Sequence, residues 1–206
     1  MTQPDASALA RLLAGAPDDD EDTIARLRTR LADAAERAGV LDVAYRSIDS
    51  PVGPLLLAAT GQGLVRVAYA SENHDRVLTQ LASRVSPRVL HAPARLDNAA
   101  REIGEYFAGH RTRFDLPLDM RLATGFRREV LAQLPGIGYG HTASYAAMAA
   151  AAGRPRAFRA AGTACATNPL PVVVPCHRVV KSDGSLGLYA GGVAAKRTLL
   201  TLEGAL

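Results

Sequence analysis

Residues 144–167 have the sequence SYAAMAAAAGRPRAFRAAGTACAT, and this stretch decides the fold of the C-terminal part of the chain. Ser144 is of a type that begins helices, and apolar residues follow it at helical spacing. Gly153 and Pro155 predict a turn, and a further helix is expected from Arg156 to about Thr167. Two short helices joined by a glycine-containing turn indicate a helix-turn-helix.

The segments on either side of this motif complete a small helical domain. Upstream, an apolar face at helical spacing ends at Pro135-Gly136, and its members are Phe126, Val130, Leu131 and Leu134. Downstream, Gly187–Gly192 is a glycine-rich loop and Ala194–Glu203 is a closing helix. We therefore expect a helix-turn-helix domain over residues 120–206.

In the middle of the chain, the spacing of the apolar residues changes: strand-like segments come first and helical segments follow. The strands are expected at Val43–Ile48, Leu55–Ala59 and Leu64–Ala70, as a hairpin or small meander, and the helices at Arg76–Val85 and Ala99–Phe107. Pro117, Leu118 and Asp119 are interpreted as a linker. The predicted fold class is α+β: a small N-terminal strand and helix domain over residues 43–119, followed by the helical winged helix-turn-helix domain.

Residues 1–42 are interpreted as an acidic helical N-terminal extension. An acidic run, Asp18–Asp22, precedes a helical pattern over Thr23–Ala38 that Gly39 ends. A helix that only packs on the body of the protein is the favoured interpretation, and a partner-binding role is the alternative.

Composition and charge exclude several classes of protein. The chain has 206 residues, of which 48% are hydrophobic and 21% charged, so whole-chain disorder is excluded. No apolar run is long enough to span a membrane and the acidic N-terminus is unlike a secretory signal, so a cytoplasmic location without a membrane partner is expected. Residues 121–206 hold ten Lys/Arg against three Asp/Glu, whereas residues 1–42 hold five against nine. A basic C-terminal part indicates a polyanionic partner, and a simply solvated arginine-rich surface is the alternative.

The second helix of the motif has almost no long side chains. Its small residues are Ala157, Ala160, Ala161, Gly162, Thr163, Ala164 and Ala166. A helix that reads base sequence requires Arg, Asn or Gln, so this helix is expected to approach the minor groove and the DNA backbone. Arg159 is long and cationic, and it is suited to fill the gap left by an extruded nucleotide. The alternative is that the small residues allow tight helix packing and that Arg159 makes a surface ion pair.

The tetrapeptide Pro-Cys-His-Arg at 175–178 is the clearest candidate for chemistry. The thiolate is the nucleophilic form of cysteine, and an adjacent histidine with a cation nearby can lower the pKa of a thiol. Neighbours in sequence often point apart, and a buried cysteine that acts as a small hydrophobic residue is the alternative interpretation of Cys176. Cys165 is interpreted as such a core residue. Because these are the only two cysteines, no disulfide framework is available.

Several ordered motifs resemble those of one family. They are Val172–Val179 (VVVPCHRV), Asn168-Pro169, Tyr189–Gly192, Lys196, Leu199–Glu203, Gly140–Tyr145 and Arg159–Gly162. In these motifs, residues 121–204 closely resemble the O6-alkylguanine-DNA alkyltransferases, also called methylated-DNA-protein-cysteine methyltransferases. Residues 43–119 are similar in pattern to the N-terminal domain of that family. The resemblance implies irreversible, stoichiometric repair of O6-alkylguanine, and of O4-alkylthymine, in double-stranded DNA by a monomer without cofactor or metal.

The resemblance also implies roles at the reacting centre. Cys176 would accept the alkyl group, and His177 would take the thiol proton through a water. Glu203 would hold and charge-balance His177, while Asn168 would brace the turn. Tyr145 would hydrogen-bond or protonate the guanine, so that the base leaves neutral.

On the DNA side, the resemblance implies extrusion of the damaged base toward the minor groove. Arg159 would occupy the vacated place of the base. The other positions implied to contact DNA or the extruded base are Ala160, Gly162, Val179, Ala190 and Lys196. Leu188 stands where the family often has glycine or a small polar residue, so the width of the pocket is expected to differ.

Three other functions are weighed against this one. The presence of Cys176 argues against a lesion-binding module that flags damage without transfer. The small residues of the second helix argue against a transcription regulator, which requires side chains that read bases. A thiol hydrolase that uses Cys176 and His177 is disfavoured because no oxyanion-binding signature accompanies them.

Overall fold

The computed structural model describes residues 19–206, with side chains from Thr23 onward. The chain divides into two compact units, one ending at Leu41 and the other covering Asp42–Leu206. The first unit contains helix α1 (Asp19–Arg37), whereas residues 1–18 of the predicted acidic extension lie outside the described residues. Within residues 19–206, no helix is long and apolar enough to cross a membrane.

A four-stranded sheet begins the second unit. Its strands are β1 (Val43–Ile48), β2 (Leu55–Thr60), β3 (Gly63–Tyr69) and β4 (Val89–His91), in the order β3-β2-β1-β4. The first three strands are antiparallel neighbours, as the meander prediction requires, and β4 runs parallel to β1. The sequence did not predict β4, because three residues are too few to show an alternating pattern.

Helix α2 (His74–Arg84) packs on the sheet. Its Val77 and Leu81 belong to the same buried apolar cluster as residues of β1, β2 and β3. All six residues of β2 are buried, so both faces of this strand are covered. Asn73 caps α2, since its side chain accepts a hydrogen bond from the Arg76 amide at 3.1 Å. This cap explains why the helix begins two residues before the predicted start at Arg76.

Helix α3 (Asp97–Phe107) leads to the stretch predicted as a linker, which is held against the edge of the sheet. The Leu64 amide donates to the Pro117 carbonyl at 2.9 Å, and the Asp119 amide donates to the Leu64 carbonyl at 2.8 Å. Gly63 is required at this contact, because its φ is +137° and a Cβ there would lie 2.2 Å from the Pro117 oxygen. The connection to the C-terminal part is therefore fixed.

Four helices build the rest of this unit: α4 (Gly125–Gln133), α5 (Tyr145–Ala151), α6 (Phe158–Ala166) and α7 (Gly192–Leu202). Helix α6 packs against α4 and α5. Ser144 caps α5 as its residue type predicts, accepting a hydrogen bond from the Ala147 amide at 3.1 Å. Gly153 has a φ of +74°, the left-handed conformation that commonly ends a helix. Helices α5 and α6 form the predicted helix-turn-helix, and α6 begins two residues late because Arg156 still belongs to the turn.

A short parallel ladder connects this motif to the Pro-Cys-His-Arg segment. Strand β5 (Ala143–Ser144) pairs with β6 (Val179–Val180), with Ala143 opposite Val179. Residues 176–178 form a 3₁₀ turn directly before β6. The ladder therefore places Cys176 close to the N-terminus of α5, where Tyr145 stands.

Candidate active site and α6 groove

Cys176 begins the 3₁₀ turn and is only 1% exposed. Asn168 holds the segment that leads to it: Nδ2 donates to the Val174 carbonyl at 2.8 Å, and Oδ1 accepts from the Leu170 amide at 3.0 Å. The same Nδ2 lies 3.1 Å from the Cys176 Sγ. Val172 has a φ of +71°, a conformation that β-branched residues adopt only when their surroundings impose it. The sulfur is therefore held in a tightly constrained turn.

Glu203 is the centre of a buried polar network. Its Oε1 lies 2.9 Å from His177 Nε2, and both side chains are 0% exposed. Arg178 donates through Nε to Oε2 at 2.8 Å and through Nη2 to Oε1 at 3.0 Å, and Tyr106 Oη donates to Oε1 at 2.7 Å. Burial raises the pKa of Glu203, but the hydrogen bonds from His177 and Arg178 outweigh burial and lower the pKa to about 2. Glu203 is therefore ionised.

The second ring nitrogen of His177, Nδ1, is buried and hydrogen-bonds none of the residues from 19 to 206. It therefore makes no hydrogen bond to the sulfur of its neighbour Cys176. Burial lowers the pKa of His177, against the opposing effect of Glu203. We assign the neutral tautomer that donates from Nε2 to Glu203, which leaves Nδ1 as a proton acceptor.

The Cys176 thiol is neutral in the folded protein. Burial raises its pKa to about 11, and the hydrogen bond from Asn168 and the charge of Lys196 offset burial only in part. The adjacent histidine does not lower this pKa, because His177 faces Glu203 and the sulfur is desolvated. Ionisation of the sulfur must therefore be coupled to a proton acceptor during the reaction.

Lys196 is completely buried in the same region. Its Nζ donates to the backbone carbonyls of Val179 and Leu186, and it lies 5.9 Å from the centroid of the Tyr145 ring. Burial lowers the pKa of Lys196 and raises that of Tyr145 to about 12. The Tyr145 hydroxyl has no hydrogen-bond partner in the described part of the chain. Lys196 thus ties β6 to Leu186, directly before the glycine-rich loop, and the Tyr145 hydroxyl keeps an unused O–H donor.

Two tyrosines fix the glycine-rich loop. A Cβ at Gly187 would lie 2.7 Å from the Tyr145 hydroxyl, and a Cβ at Gly191 would lie 2.6 Å from the Tyr69 ring. Tyr69, on β3, also shares a buried hydrogen bond of 2.9 Å between its Oη and the Oη of Tyr189. Only glycine fits at positions 187 and 191, so the loop passes closely between these rings.

A cavity of about 740 Å³ opens along α6, and we call it the α6 groove. Its lining includes Tyr145, Phe158, Arg159, Gly162, Gly187 and Leu188. Cys176 is not part of this lining. Tyr145 connects the two regions, because it lines the groove and its ring centroid lies 5.9 Å from Nζ of the buried Lys196.

The structure places the predicted site residues in two groups. The buried cluster contains Cys176, His177, Asn168, Glu203 and Lys196, and the α6 groove contains Tyr145, Arg159 and Gly162. Ala160 is exposed on α6 without lining the groove. Val179 is buried without lining the groove, and Ala190 lines a separate cavity of about 320 Å³ together with Asn168.

Three residues of the site were not predicted from the sequence: Arg178, Tyr106 and Tyr69. Arg178 stands inside the Pro-Cys-His-Arg segment, where an arginine next to a candidate histidine was a usable signal. Tyr106 and Tyr69 lie 97 and 120 residues from Glu203 and Tyr189, their partners. No local pattern marks either tyrosine.

Comparison with known proteins identifies the family. Residues 43–120 match the family model described as "6-O-methylguanine DNA methyltransferase, ribonuclease-like domain". Residues 125–205 match "6-O-methylguanine DNA methyltransferase, DNA binding domain". The chain therefore belongs to the 6-O-methylguanine DNA methyltransferase family.

Individual relatives agree with this assignment. The methylated-DNA–protein-cysteine methyltransferase of Mycobacterium tuberculosis (strain H37Rv) is 40% identical over 159 residues, which cover 77% of this chain and 91% of that protein. The protein of the same name from Methanosarcina barkeri is 37% identical over 77% of this chain and 96% of that protein. This chain also matches the crystal structure of Mycobacterium tuberculosis OGT in complex with DNA, with 40% sequence identity and a TM-score of 0.69. The match covers 79% of this chain and 93% of that chain. The predicted family and α+β, winged helix-turn-helix fold class are confirmed, and DNA is the partner of the matched DNA-binding domain.

Proposed function

We propose that this chain repairs DNA by direct reversal, transferring the alkyl group from O6 of an alkylated guanine to the Cys176 sulfur, once per chain. The buried cluster is the observation that carries the proposal: a thiol braced by Asn168 is followed immediately by a histidine that an ionised Glu203 holds. An alkyl carbon on oxygen is electrophilic, and a sulfur nucleophile attacks it. O4-alkylthymine has the same kind of alkyl–oxygen bond and is a second expected substrate.

The chemistry is a single displacement. The Cys176 sulfur forms a bond to the alkyl carbon while the bond between that carbon and the guanine oxygen breaks. The thiol proton passes through a bridging water to Nδ1 of His177, the ring nitrogen without a protein partner. Tyr145 gives its hydroxyl proton to the guanine, which leaves neutral, and the proton on His177 returns to the tyrosinate through solvent. The product is a thioether, which thiol–disulfide exchange does not reverse.

The Glu203 network makes this proton transfer favourable. When Nδ1 takes the proton, the resulting imidazolium lies 2.9 Å from an ionised carboxylate, which stabilises it. Arg178 and Tyr106 also donate to Glu203, so the carboxylate keeps its charge and does not take the proton itself. Charges that are already oriented in a buried site need little rearrangement during the reaction. The Cys176 thiol therefore stays protonated until the reaction, when His177 accepts its proton.

The proposed substrate is double-stranded DNA that contains O6-alkylguanine, bound by a monomer. The small residues of α6, among them Ala160 and Gly162, let the helix approach the minor groove, and the exposed Arg159 enters the place of the extruded base. The α6 groove, at about 740 Å³, has room for that base and leads it to Tyr145. The family resemblance also implies contacts to the base from the backbone at Val179 and Ala190, which lie outside this groove. A cytoplasmic location stays a prediction.

Two cysteine variants test the mechanism. Each protein is mixed with a duplex oligonucleotide that carries one O6-methylguanine, and intact-protein mass spectrometry measures the added methyl group. Cys165→Ala removes the other buried cysteine and should still accept one methyl group. Cys176→Ala should accept none and leave the lesion in the DNA.

Repair by Cys176→Ala would contradict the mechanism, as would loss of transfer only in Cys165→Ala. If the unchanged protein bound the damaged duplex without any transfer, a lesion-binding function would replace the proposed one.

A further inference from the structure

Phe158 is the first residue of α6, and its side chain is 48% exposed. Within residues 42–206, the exposed large hydrophobic side chains are Phe158, Leu188, Val193 and Leu206, and the first two both line the α6 groove. The apolar exposure of this unit is therefore concentrated where the proposed function places DNA.

Phe158 is also paired with the arginine that follows it. The Arg159 guanidinium lies 5.7 Å from the centroid of the Phe158 ring, within the range of a cation–π contact. The remaining residues of α6 are alanine, glycine, threonine and cysteine, so these two long side chains stand together at one end of a thin helix. They line the same groove as Tyr145.

Extrusion of a nucleotide leaves the flat faces of the neighbouring bases exposed. A cationic side chain can fill the vacated space, but an aromatic ring covers a base face better, because bases stack on aromatic rings whatever their sequence. Phenylalanine is among the apolar side chains that proteins binding the minor groove insert between base steps.

We propose that Phe158 is a second DNA-inserting side chain: its ring stacks on the base pair next to the extruded nucleotide, while Arg159 fills the vacated place. This inference rests on the proposed function, because it requires base extrusion. It adds a substrate-positioning residue that acts only on duplex DNA. It also predicts that repair is faster at lesions beside steps that unstack easily, such as TA or CA.

The test compares transfer from a duplex carrying O6-methylguanine with transfer from the free O6-methylguanine base. Phe158→Ala should slow the duplex reaction by about tenfold or more, the loss expected when one base–aromatic stacking contact is removed. It should leave the free-base reaction unchanged, since no neighbouring base is present. Phe158→Trp should retain the duplex rate, whereas Phe158→Leu, which keeps the apolar character without a ring, should lose most of it.

Val193→Ala is the matched control, because Val193 is 50% exposed but does not line the α6 groove. It should change neither reaction. Suppose that the unchanged protein transfers methyl groups. The inference would then be overturned if Phe158→Ala slowed transfer equally from the duplex and from the free base, or slowed neither reaction. Absence of transfer by the unchanged protein would instead overturn the proposed function, and this inference with it.

Discussion

In the buried cluster, the side chains of His177 and Glu203 are 0% exposed, and Glu203 accepts hydrogen bonds from three side chains. Along the α6 groove, Phe158 is 48% exposed and the Tyr145 hydroxyl hydrogen-bonds no described residue. The two regions differ because the side chains of the cluster find their partners within the folded protein, whereas those of the groove are expected to find them in the substrate. Folding completes the buried cluster before substrate arrives, whereas in the proposed function DNA completes the groove. Changes in the cluster should therefore reduce both stability and chemistry, and changes at Phe158 or Arg159 in the groove should reduce only the reaction with duplex DNA.

Glu203→Gln should have the largest effect. It removes the charge that compensates buried Arg178, and the loss of one partner from a buried ion pair costs about 3–5 kcal/mol. We expect a loss of this size in the free energy of unfolding, measured by urea denaturation, together with loss of transfer. Glu129→Gln is the matched control, because its carboxylate is half exposed and 3.6 Å from Arg154, and it should cost less than about 0.5 kcal/mol.

The pH dependence of this loss tests the ionisation of Glu203. Its pKa is lowered from 4.5 to about 2, so its contribution to stability is complete above pH 4.5 and is lost as the pH falls toward 2. The difference in unfolding free energy between the unchanged protein and Glu203→Gln should therefore shrink across this window. A difference that stayed constant there would show that Glu203 is not held ionised by its donors.

Asn168→Ala should have the next largest effect within the cluster. It removes the contact of Nδ2 with the Cys176 sulfur at 3.1 Å and with the Val174 carbonyl at 2.8 Å. Burial already raises the pKa of Cys176 to about 11, and loss of the Asn168 hydrogen bond should raise it further. Thiolate ultraviolet absorbance, followed against pH in a Cys165→Ala background, should show a higher midpoint, and transfer should be slower by roughly tenfold. An unmoved midpoint would limit Asn168 to a role in the backbone turn.

Arg159→Ala tests the groove side of the comparison. Its side chain is exposed, so the melting temperature should not change. Transfer from duplex DNA should fall by roughly tenfold, because the extruded state loses the group that fills its gap, while transfer from the free base should not fall. Equal losses on the two substrates would exclude a role in base extrusion.

Tyr69→Phe should have the smallest effect. It removes one hydrogen bond of 2.9 Å to Tyr189, which corresponds to about 1 kcal/mol in the free energy of unfolding. The ring of Tyr69 still covers Gly191, so the transfer rate should change little. The double variant Tyr69→Phe/Tyr189→Phe should be no less stable than either single variant. Fully additive losses would mean that the two hydroxyls do not act on each other.

Local signals made much of the fold predictable. Ser144 and Gly153 mark the helix-turn-helix because capping and left-handed turns depend on residue type at one position. The start of α2 was predicted too late, because the Asn73 cap was not recognised. Strand β4 was missed because it is short and pairs with a strand far away in sequence.

The site residues were predicted partly from residue types and partly from the family resemblance. Residues alone singled out Cys176 and Arg159, but the pairing of His177 with Glu203, 26 residues apart, followed only from the family resemblance. The resting pKa of Cys176 could not be predicted, because burial is a property of the whole fold. Tyr106 reaches Glu203 from α3, and such a contact has no signature in local sequence.

The stoichiometry of repair tests the central claim most directly. Duplex DNA carrying O6-methylguanine is supplied in large excess over protein, and repaired DNA and the methylated peptide are both quantified. We predict that repair stops at one lesion per chain and that every transferred methyl group lies on the Cys176 sulfur. Repair that continues beyond one lesion per chain, or methyl groups on any other residue, would contradict the account.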